Sequence, residues 1–320
     1  MAKVSVIIPV YNVEQYIEQC AISLFEQTLS DIEYIFVDDC SPDNSIQVLN
    51  RILTRYPNRQ PQVIIHKMEK NSGQAAVRRW GMEHATGDYV IHCDSDDWIE
   101  LNAYELLYNK AKESKTDIVF FDFFKSDGIN HTILKRLRKE SYEKEEMLDL
   151  LLCGKVTGSL CGALFQRNLY LENFEYPQAD MGEDWTMVIQ MVCNCRTAIS
   201  YLSTPLYYYR FNPSSISESV SKESILKRYS DNVENGLMIY KKFDTINQTG
   251  NHLNSIVCSK LIIRKNLLLL LGETITYHQW FKSFPEINCC VFNNSKISLK
   301  DKAIFFLCVL RVYHVIKRRV

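Results

Sequence analysis

The sequence predicts an α/β protein built on a mostly parallel sheet with helices on both faces. Short β-branched runs alternate with helical segments through about the first hundred residues, and only short turns connect them. Polar or acidic residues also follow several of the predicted strands. Because ligands bind beyond the carboxyl ends of the strands in such sheets, these residues are expected along one rim. They are Asn12, Asp38, Asp39, Asp94 and Asp96.

Two strand–helix units open the chain. Residues 4–8 form a β-branched run that stops at Pro9, and residues 13–27 carry apolar side chains at helical spacing. A second strand is predicted over residues 32–37 and a second helix over residues 46–53. This order predicts two adjacent parallel strands.

Two further units lead to an acidic run. A strand is predicted over residues 63–66, and a glycine turn at residues 71–73 precedes a helix that ends near Ala85. After another turn, the strand over residues 89–91 delivers the run His92–Asp97.

Three carboxylates, Asp94, Asp96 and Asp97, lie within four residues of this run. Hard divalent ions such as Mg²⁺ and Mn²⁺ take oxygen ligands and commonly bind one or two carboxylates, while water and substrate phosphates fill their other positions. The run therefore predicts a metal-bridged diphosphate. The alternative is a solvated acidic loop that caps the helix beginning near Leu101.

Six stretches of the chain carry motifs in one order: Val4–Asn12, Phe36–Ser41, Asn71–Gly73, Ala85–Ile91, Asp94–Asp97 and Gly182–Asp184. Together they resemble the inverting family 2 glycosyltransferases, and an ordered set is far more specific than any one motif. The resemblance implies a GT-A fold, a Rossmann-like mixed sheet covered by helices. The catalytic domain is expected over residues 1–218, with its nucleotide-binding half ending near residue 98, and a helical region is expected over residues 219–320.

The resemblance also assigns a nucleotide site. It implies that Pro9, Tyr11 and Asn12 pack around the base and ribose, and that Gly73 lets the backbone approach the ligand. Asp39 matches the aspartate that accepts the N3–H of uracil, a contact that suits an acceptor-only carboxylate. The expected donor is therefore a UDP-sugar.

Arg78 matches the arginine that the family places in the nucleotide site, and Arg79 replaces the asparagine that usually follows it. An arginine pair beside a diphosphate is electrostatically reasonable. The alternative is that one or both lie on a solvated helix face.

In the acidic run, the resemblance implies that Asp96 binds Mn²⁺ or Mg²⁺ and that Asp94 contacts ribose, the metal or its water. The ion would neutralise the diphosphate as the sugar C1–O bond breaks.

The motif Gly182–Asp184 is expected to supply the general base. By resemblance, Asp184 deprotonates the acceptor hydroxyl, which attacks the anomeric carbon and inverts it. Glu183 and Trp185 are expected to bind the acceptor, as is Arg210, which lies in a tyrosine-rich segment that runs on to Asn212–Ser217. The alternative for the acids is a helix N-terminus, where negative charge is favourable.

Composition agrees with an enzyme rather than a nucleic-acid binder, because the 320 residues carry a net charge of −1. The cysteines form no zinc-binding pattern, and the absence of a signal peptide predicts reduced thiols in the cytoplasm.

The last segment, Ala303–Val320, predicts a basic amphipathic helix with Arg311, His314 and Arg318 on one face. Its apolar run is too short to span a bilayer. It is expected to lie on the inner face of the membrane, or alternatively to pack on the protein or a dimer partner.

The sequence thus predicts a metal-dependent hexosyl- or N-acetylhexosaminyltransferase. Transfer of one sugar per encounter is expected, because the Gln-x-x-Arg-Trp motif of processive members is absent. The expected acceptor is a glycan or lipid-linked glycan in surface polysaccharide biosynthesis. Two alternatives remain open: transfer to a polyprenyl phosphate, for which Asp184 is not needed as a base, and a catalytically silent protein that binds nucleotide sugars.

Overall fold

The computed structural model of the protein describes residues 2–211 and 221–317. Two compact units divide the chain. The first comprises Met1–Met147 and Thr157–Asn212, and the second comprises Leu148–Val156 and Pro213–Val320. The domain boundary expected at residue 218 and the segment Asn212–Ser217 lie outside the described residues.

The first unit is built on one mixed sheet, in which the described residues form ten strands. Its order is β3-β2-β1-β4-β9-β6-β10-β5, with β7 beside β6 and β8 beside β10. The pairs among β1 to β4 are parallel, whereas β9 runs antiparallel to both β4 and β6. The strands are β1 Val4–Val10, β2 Ile32–Asp38, β3 Val63–Lys67, β4 Tyr89–His92, β5 Trp98–Ile99, β6 Ile118–Ser126, β7 His131–Leu134, β8 Ser141–Tyr142, β9 Ala163–Gln166 and β10 Ile199–Arg210.

Helices alternate with the parallel strands, which confirms the predicted α/β class. They are α1 Ile17–Phe25, α2 Ser45–Leu53, α3 Gln74–His84, α4 Ala103–Ser114, α5 Lys144–Leu152, which crosses the unit boundary, and α6 Glu183–Asn194. Residues of β1 and β2 are almost all buried, as expected for strands covered on both faces. β1 continues through Pro9, where it pairs with Val37 of β2 and has already passed the end of its pairing with β4. The missing N–H of proline is tolerated at such a half-paired position.

The predicted rim is present at the carboxyl ends of the parallel strands. In the register of the sheet, Val10 at the end of β1 faces Asp38 at the end of β2, and Ile7 of β1 faces His92 at the end of β4. Because the strands are parallel and adjacent, the loops that carry Asn12, Asp39 and the acidic run leave the same edge.

The second unit is helical. Its helices are α7 Lys222–Thr245, α8 Thr249–Lys265, α9 Tyr277–Lys282, α10 Leu299–Val309 and α11 Tyr313–Lys317. They enclose an apolar core around the fully buried Trp280, to which α10 contributes Phe305 and Cys308. In the described ranges, 2–211 and 221–317, no helix is long and apolar enough to cross a membrane.

The structure differs from the single helix expected over Ala303–Val320. The chain turns between α10 and α11, where Arg311 has φ 60°. The N–H of Val312 donates to the carbonyl of Leu307, and the N–H of Arg311 donates to that of Cys308. This is the Schellman pattern that ends a helix. Residues 318–320, including Arg318, lie outside the described residues.

Candidate active site

Arg78, on α3, is the centre of a buried charge cluster. Its guanidinium is fully buried, and Nη2 lies 3.0 Å from Oδ1 of Asp94. Its Nε lies 3.4 Å from Oε1 of Glu183 and 3.3 Å from Oδ1 of Asp184. Burial opposes the charge, but the carboxylates of Asp184 and Asp94 hold the pKa of Arg78 well above its usual value. One arginine therefore brings the acidic run and the Gly182–Asp184 motif together.

A glycine directly precedes each of the two helices, α3 and α6, that carry this cluster. Gly73 precedes α3 with φ 85°, and Gly182 precedes α6 with φ 85°, a conformation that favours glycine. α6 then begins with Glu183 and Asp184 in its first turn, where the helix dipole stabilises carboxylates. The predicted helix N-terminus is therefore present, and it positions the two acids beside Arg78.

Glu183 and Asp184 differ in their access to solvent. Glu183 is buried, and burial followed by the neighbouring Asp184 charge raises its pKa well above the usual range. The Asp184 side chain retains 26% exposure, and its Oδ2 accepts a hydrogen bond of 3.3 Å from the backbone N–H of Leu160. Burial raises the pKa of Asp184, and Arg78 opposes that rise. Asp184 is thus the accessible carboxylate of the pair, with strengthened basicity.

The acidic run divides into two kinds of carboxylate. Asp97 is buried and accepts hydrogen bonds of 2.7 Å from the Tyr207 hydroxyl and from the backbone N–H of Arg210. Burial, followed by the charges of Asp96 and Asp94, raises the pKa of Asp97 well above its usual value. Asp94 and Asp96 are only half-buried.

Tyr207 is a positioning residue that the sequence reasoning missed. Its hydroxyl also accepts the backbone N–H of Asp94 at 3.0 Å, so one tyrosine of β10 holds both Asp94 and Asp97. The three consecutive tyrosines, Tyr207–Tyr209, were the available signal, but such a run fits ordinary packing equally well.

Arg210 lies beside the acidic run, at the end of β10. Its Nε donates to the carbonyl of Asp96 at 2.7 Å, and its Nη2 donates to Oε1 of Gln19. The guanidinium lies over the ring of Trp98, 4.5 Å from its centroid, and over that of Tyr16 at 5.0 Å. This places a cation next to the predicted diphosphate site.

Asp39 holds the turn at residues 71–73 against the end of β2. Its carboxylate accepts the backbone N–H of Ser72 at 2.7 Å and that of Gly73 at 3.0 Å. Burial raises the pKa of Asp39, although these two hydrogen bonds lower it. Asp38 plays a similar part, since Oδ1 accepts the N–H of Ser41 at 2.7 Å. A carboxylate can accept more than two hydrogen bonds, so the geometry leaves capacity for a base N–H.

Pro9, Tyr11 and Asn12 occupy the end of β1 and the loop after it. Tyr11 and Asn12 are exposed, and Asn12 has φ 55°. The N–H of Asn12 donates to the Ser41 hydroxyl at 2.8 Å, which ties this loop to the loop after β2. Asp43 strengthens the same link, because Oδ2 accepts the N–H of residue 14 at 2.8 Å.

Asp180 is a second residue that the sequence reasoning did not identify. Its Oδ1 accepts the N–H of Ala75 at 3.3 Å, at the start of α3. A Cβ added at Gly73 would come within 2.3 Å of the same oxygen. The segment before α6 therefore packs closely on the glycine turn. No local sequence signal could reveal this contact between distant parts of the chain.

Arg79 follows Arg78 on α3, and Trp185 follows Asp184 on α6, but neither belongs to the ion pairs of the Arg78 cluster. Arg79 is half exposed and pairs with Glu83 one turn later at 2.9 Å, which is the solvated helix face considered as the alternative. Trp185 follows Asp184 on α6, and a Cβ added at Gly158 would come within 2.8 Å of its Cα.

A divalent cation fits the residues of the acidic run. Among the described residues, no three His, Cys, Asp or Glu side chains are arranged to hold a metal ion. The predicted ion needs only one or two carboxylates, because phosphate and water complete its coordination. Asp94 and Asp96 provide hard oxygen ligands that are partly exposed at the end of β4.

A family model and several known proteins are similar to this chain. Residues 5–174 match the family model described as glycosyl transferase family 2. The matched range includes Asp39, Arg78, Asp94 and Asp96, but it ends before Asp184. GlyA, a glycosyltransferase of Streptococcus pneumoniae serotype 4, is 31% identical over 234 residues, which are 67% of this chain and 31% of GlyA.

Two Bacillus proteins are also similar. The uncharacterized glycosyltransferase EpsJ of Bacillus subtilis is 28% identical over 310 residues, which cover 93% of this chain and 81% of EpsJ. The poly(ribitol-phosphate) beta-glucosyltransferase of Bacillus spizizenii is 37% identical over 150 residues, which cover 46% of this chain and 23% of that enzyme. The chain therefore spans less than a third of GlyA and of the glucosyltransferase.

Two solved structures share the fold. S. aureus TarS 1–349 in complex with UDP-GlcNAc superposes with a TM-score of 0.62 at 17% identity, over 98% of this chain and 88% of that one. The mannosyltransferase PcManGT of Pyrobaculum calidifontis, in complex with GDP-Man and Mn²⁺, has a TM-score of 0.51 at 15% identity, over 98% and 86% of the two chains. These likenesses confirm the GT-A fold that the sequence predicted.

Proposed function

The chain belongs to glycosyl transferase family 2, and from this premise we propose that it is an inverting transferase that moves a single sugar from a UDP-sugar to a hydroxyl of a glycan acceptor. The observation that carries the proposal is the Arg78 cluster. It holds Asp94, from the predicted nucleotide site, and Asp184, the predicted base, on one buried guanidinium. An inverting transfer needs the base and the leaving group on opposite faces of one sugar, both within reach of its anomeric carbon.

Asp184 acts as the general base in this proposal. Its partial exposure lets an acceptor hydroxyl reach it, and its raised pKa favours proton uptake. The hydroxyl oxygen attacks the anomeric carbon, the C1–O bond to the diphosphate breaks, and the hydroxyl proton passes to Asp184. Arg78 orients the carboxylate, and the buried Glu183 fixes the first turn of α6 beside it.

Asp39 and the rim loops support a uridine nucleotide as the donor. The Asp39 carboxylate lies at the end of β2 and retains acceptor capacity, which suits the N3–H of uracil. TarS, whose fold this chain shares, has been captured with UDP-GlcNAc. The sugar itself, a hexose or an N-acetylhexosamine, depends on contacts that a bound donor would make.

Asp94 and Asp96 would hold the divalent cation. When bound there, Mn²⁺ or Mg²⁺ supplies Lewis-acid stabilisation of the negative charge on the diphosphate leaving group. The presence of Mn²⁺ in the GDP-Man complex of PcManGT supports this assignment. Arg210, on the carbonyl of Asp96, adds positive charge for the diphosphate or the acceptor.

A surface glycan, either free or lipid-linked, is the acceptor that the relatives support. The similar glucosyltransferase of Bacillus spizizenii acts on a poly(ribitol phosphate). A cytoplasmic location, with peripheral contact at the inner face of the membrane, stays a prediction of the sequence.

The proposal is tested by measuring nucleotide release from UDP-, GDP-, TDP- and CMP-sugars with a panel of glycan and lipid-linked acceptors. We expect release that requires an acceptor, a UDP-sugar and Mn²⁺ or Mg²⁺, and that stops when a chelator is added. Acceptor-dependent release from a GDP-sugar and not from any UDP-sugar would contradict the uridine assignment. The absence of acceptor-dependent release from every donor would contradict the transferase proposal.

A further inference from the structure

Helix α10 presents an apolar face to solvent. Leu299, Phe306 and Leu310 are 86%, 50% and 52% exposed, although their spacing places them on one side of the helix. The opposite side carries Phe305 and Cys308, which are buried in the core of the second unit. The helix is therefore anchored by one face and leaves a second apolar face without a described partner.

Neighbouring side chains enlarge this surface. Val309 is exposed on the same helix, and Phe292 is exposed before it, with its ring centroid 6.5 Å from that of Phe306. We call Phe292, Leu299, Phe306, Val309 and Leu310 the α10 face. A group of exposed apolar side chains on one helix face marks an interaction surface more often than scattered single residues do.

The α10 face has basic neighbours. Lys300 and Arg311 are exposed at its two ends, and Lys302 is half-buried on the helix. The one acidic residue of the helix, Asp301, accepts hydrogen bonds from Lys265 and, at 2.8 Å, from the Ser298 hydroxyl. Residues 299–320 contain six lysines and arginines and one acid, a net +5, whereas the rest of the chain carries −6. Within the described residues, Lys300, Lys302 and Arg311 place positive charge beside this surface.

We propose that the α10 face lies in the interface of an anionic lipid bilayer, with the apolar side chains among the acyl chains and the basic residues at the phosphates. A helix that is apolar on one face and basic at its edges binds such surfaces. A second copy of the chain fits less well, because a symmetric interface would bring the basic edges of both copies together. The proposal does not rest on the transferase function.

The test is sedimentation of the full-length protein with phosphatidylglycerol-containing vesicles and with pure phosphatidylcholine vesicles. We expect binding to the anionic vesicles that weakens with salt. Phe306→Ser with Leu310→Ser should reduce binding about tenfold or more, because two large apolar side chains no longer enter the bilayer. Lys300→Glu with Arg311→Glu should also weaken it and should reduce its dependence on salt.

Leu253→Ser is the matched control, since Leu253 is 57% exposed on α8 of the same unit. It should bind as the unchanged protein does. Substitutions are used instead of deleting α10, because deletion would also remove Phe305 and Cys308 from the core. Thermal unfolding of each variant checks that the fold is retained.

Three results would overturn the proposal. One is a folded full-length protein that does not bind anionic vesicles, and another is vesicle binding that the Phe306 and Leu310 substitutions leave unchanged. The third is a dimer in light scattering that these substitutions dissociate, with no vesicle binding, which would make the α10 face an interface between copies. Each result is independent of whether the protein transfers a sugar.

Discussion

The Nε atom of Arg78 lies 3.3 Å from Oδ1 of Asp184, and neither atom has a hydrogen-bond partner among the residues that the structure describes. The two groups are therefore held by charge attraction, which is stronger in a buried environment than in water. Because the same guanidinium pairs with Asp94, the position of the proposed base is coupled to the position of the nucleotide site.

Replacing Arg78 by Met should lower the free energy of unfolding by about 3–5 kcal/mol, because it leaves the buried Glu183 and the half-buried Asp94 and Asp184 without their counter-charge. Urea denaturation measures the loss. Arg79→Met is the control, and it should change stability by less than about 1 kcal/mol, since Arg79 makes an exposed pair with Glu83. Equal losses in the two variants would contradict the central role of Arg78.

The rate of transfer should fall at acidic pH as Asp184 gains a proton. A general base works only when it is deprotonated, and burial raises the pKa of Asp184. The acid limb of kcat/KM against pH is therefore expected above about pH 4, the ordinary range of a carboxyl group. A profile that stays flat down to that pH would argue against Asp184 as the base.

Asp96→Asn and Asp97→Asn should separate cation binding from folding. UDP at a hundredfold its Kd should stabilise the unchanged protein by about 2.7 kcal/mol in the presence of Mn²⁺. Asp96→Asn should lose this stabilisation, and without ligand it should melt at the same temperature as the unchanged protein. Asp97→Asn should lower the melting temperature, because the buried Asp97 carboxylate accepts hydrogen bonds from the Tyr207 hydroxyl and the Arg210 N–H. UDP with Mn²⁺ should still stabilise this variant. The reverse pattern, read from thermal unfolding, would exchange the two roles.

Gly73→Ala should destabilise the protein by about 1–3 kcal/mol, because φ 85° is strained for alanine and the new Cβ would meet Asp180. Adding Asp180→Gly should recover only the part of the lost stability that comes from the clash, and the part that comes from the strained φ should remain. Gly250→Ala is the control, since nothing lies within 4 Å of a Cβ there, and it should be neutral or stabilising. A double-mutant cycle in urea measures the coupling, and its absence would disprove the contact.

Local patterns were sufficient to predict the first four strands and their helices. Each strand is a short β-branched run, and the turns at residues 71–73 and 86–88 contain glycine where the chain reverses. Because parallel strands share one direction, the rim position of Asp39 and the acidic run followed from strand order alone.

Contacts between distant side chains could not be predicted in the same way. The sequence indicated that Arg78 belongs near the nucleotide, but it contained no sign that one guanidinium contacts both Asp94 and Asp184. The hydroxyl of Tyr207 and the Asp180 carboxylate were missed for the same reason. At the C-terminal end, helical spacing alone could not reveal the Schellman turn at Arg311, because that turn depends on backbone geometry.

Turnover of Asp184→Asn is the most direct test of the proposed mechanism. We expect a loss of about 10²- to 10⁴-fold in transfer with UDP affinity unchanged, because the amide cannot accept the acceptor proton. Asp88→Asn, at an exposed turn, should transfer normally. Unchanged turnover of Asp184→Asn would contradict the account and would favour an acceptor that is already anionic, such as a polyprenyl phosphate.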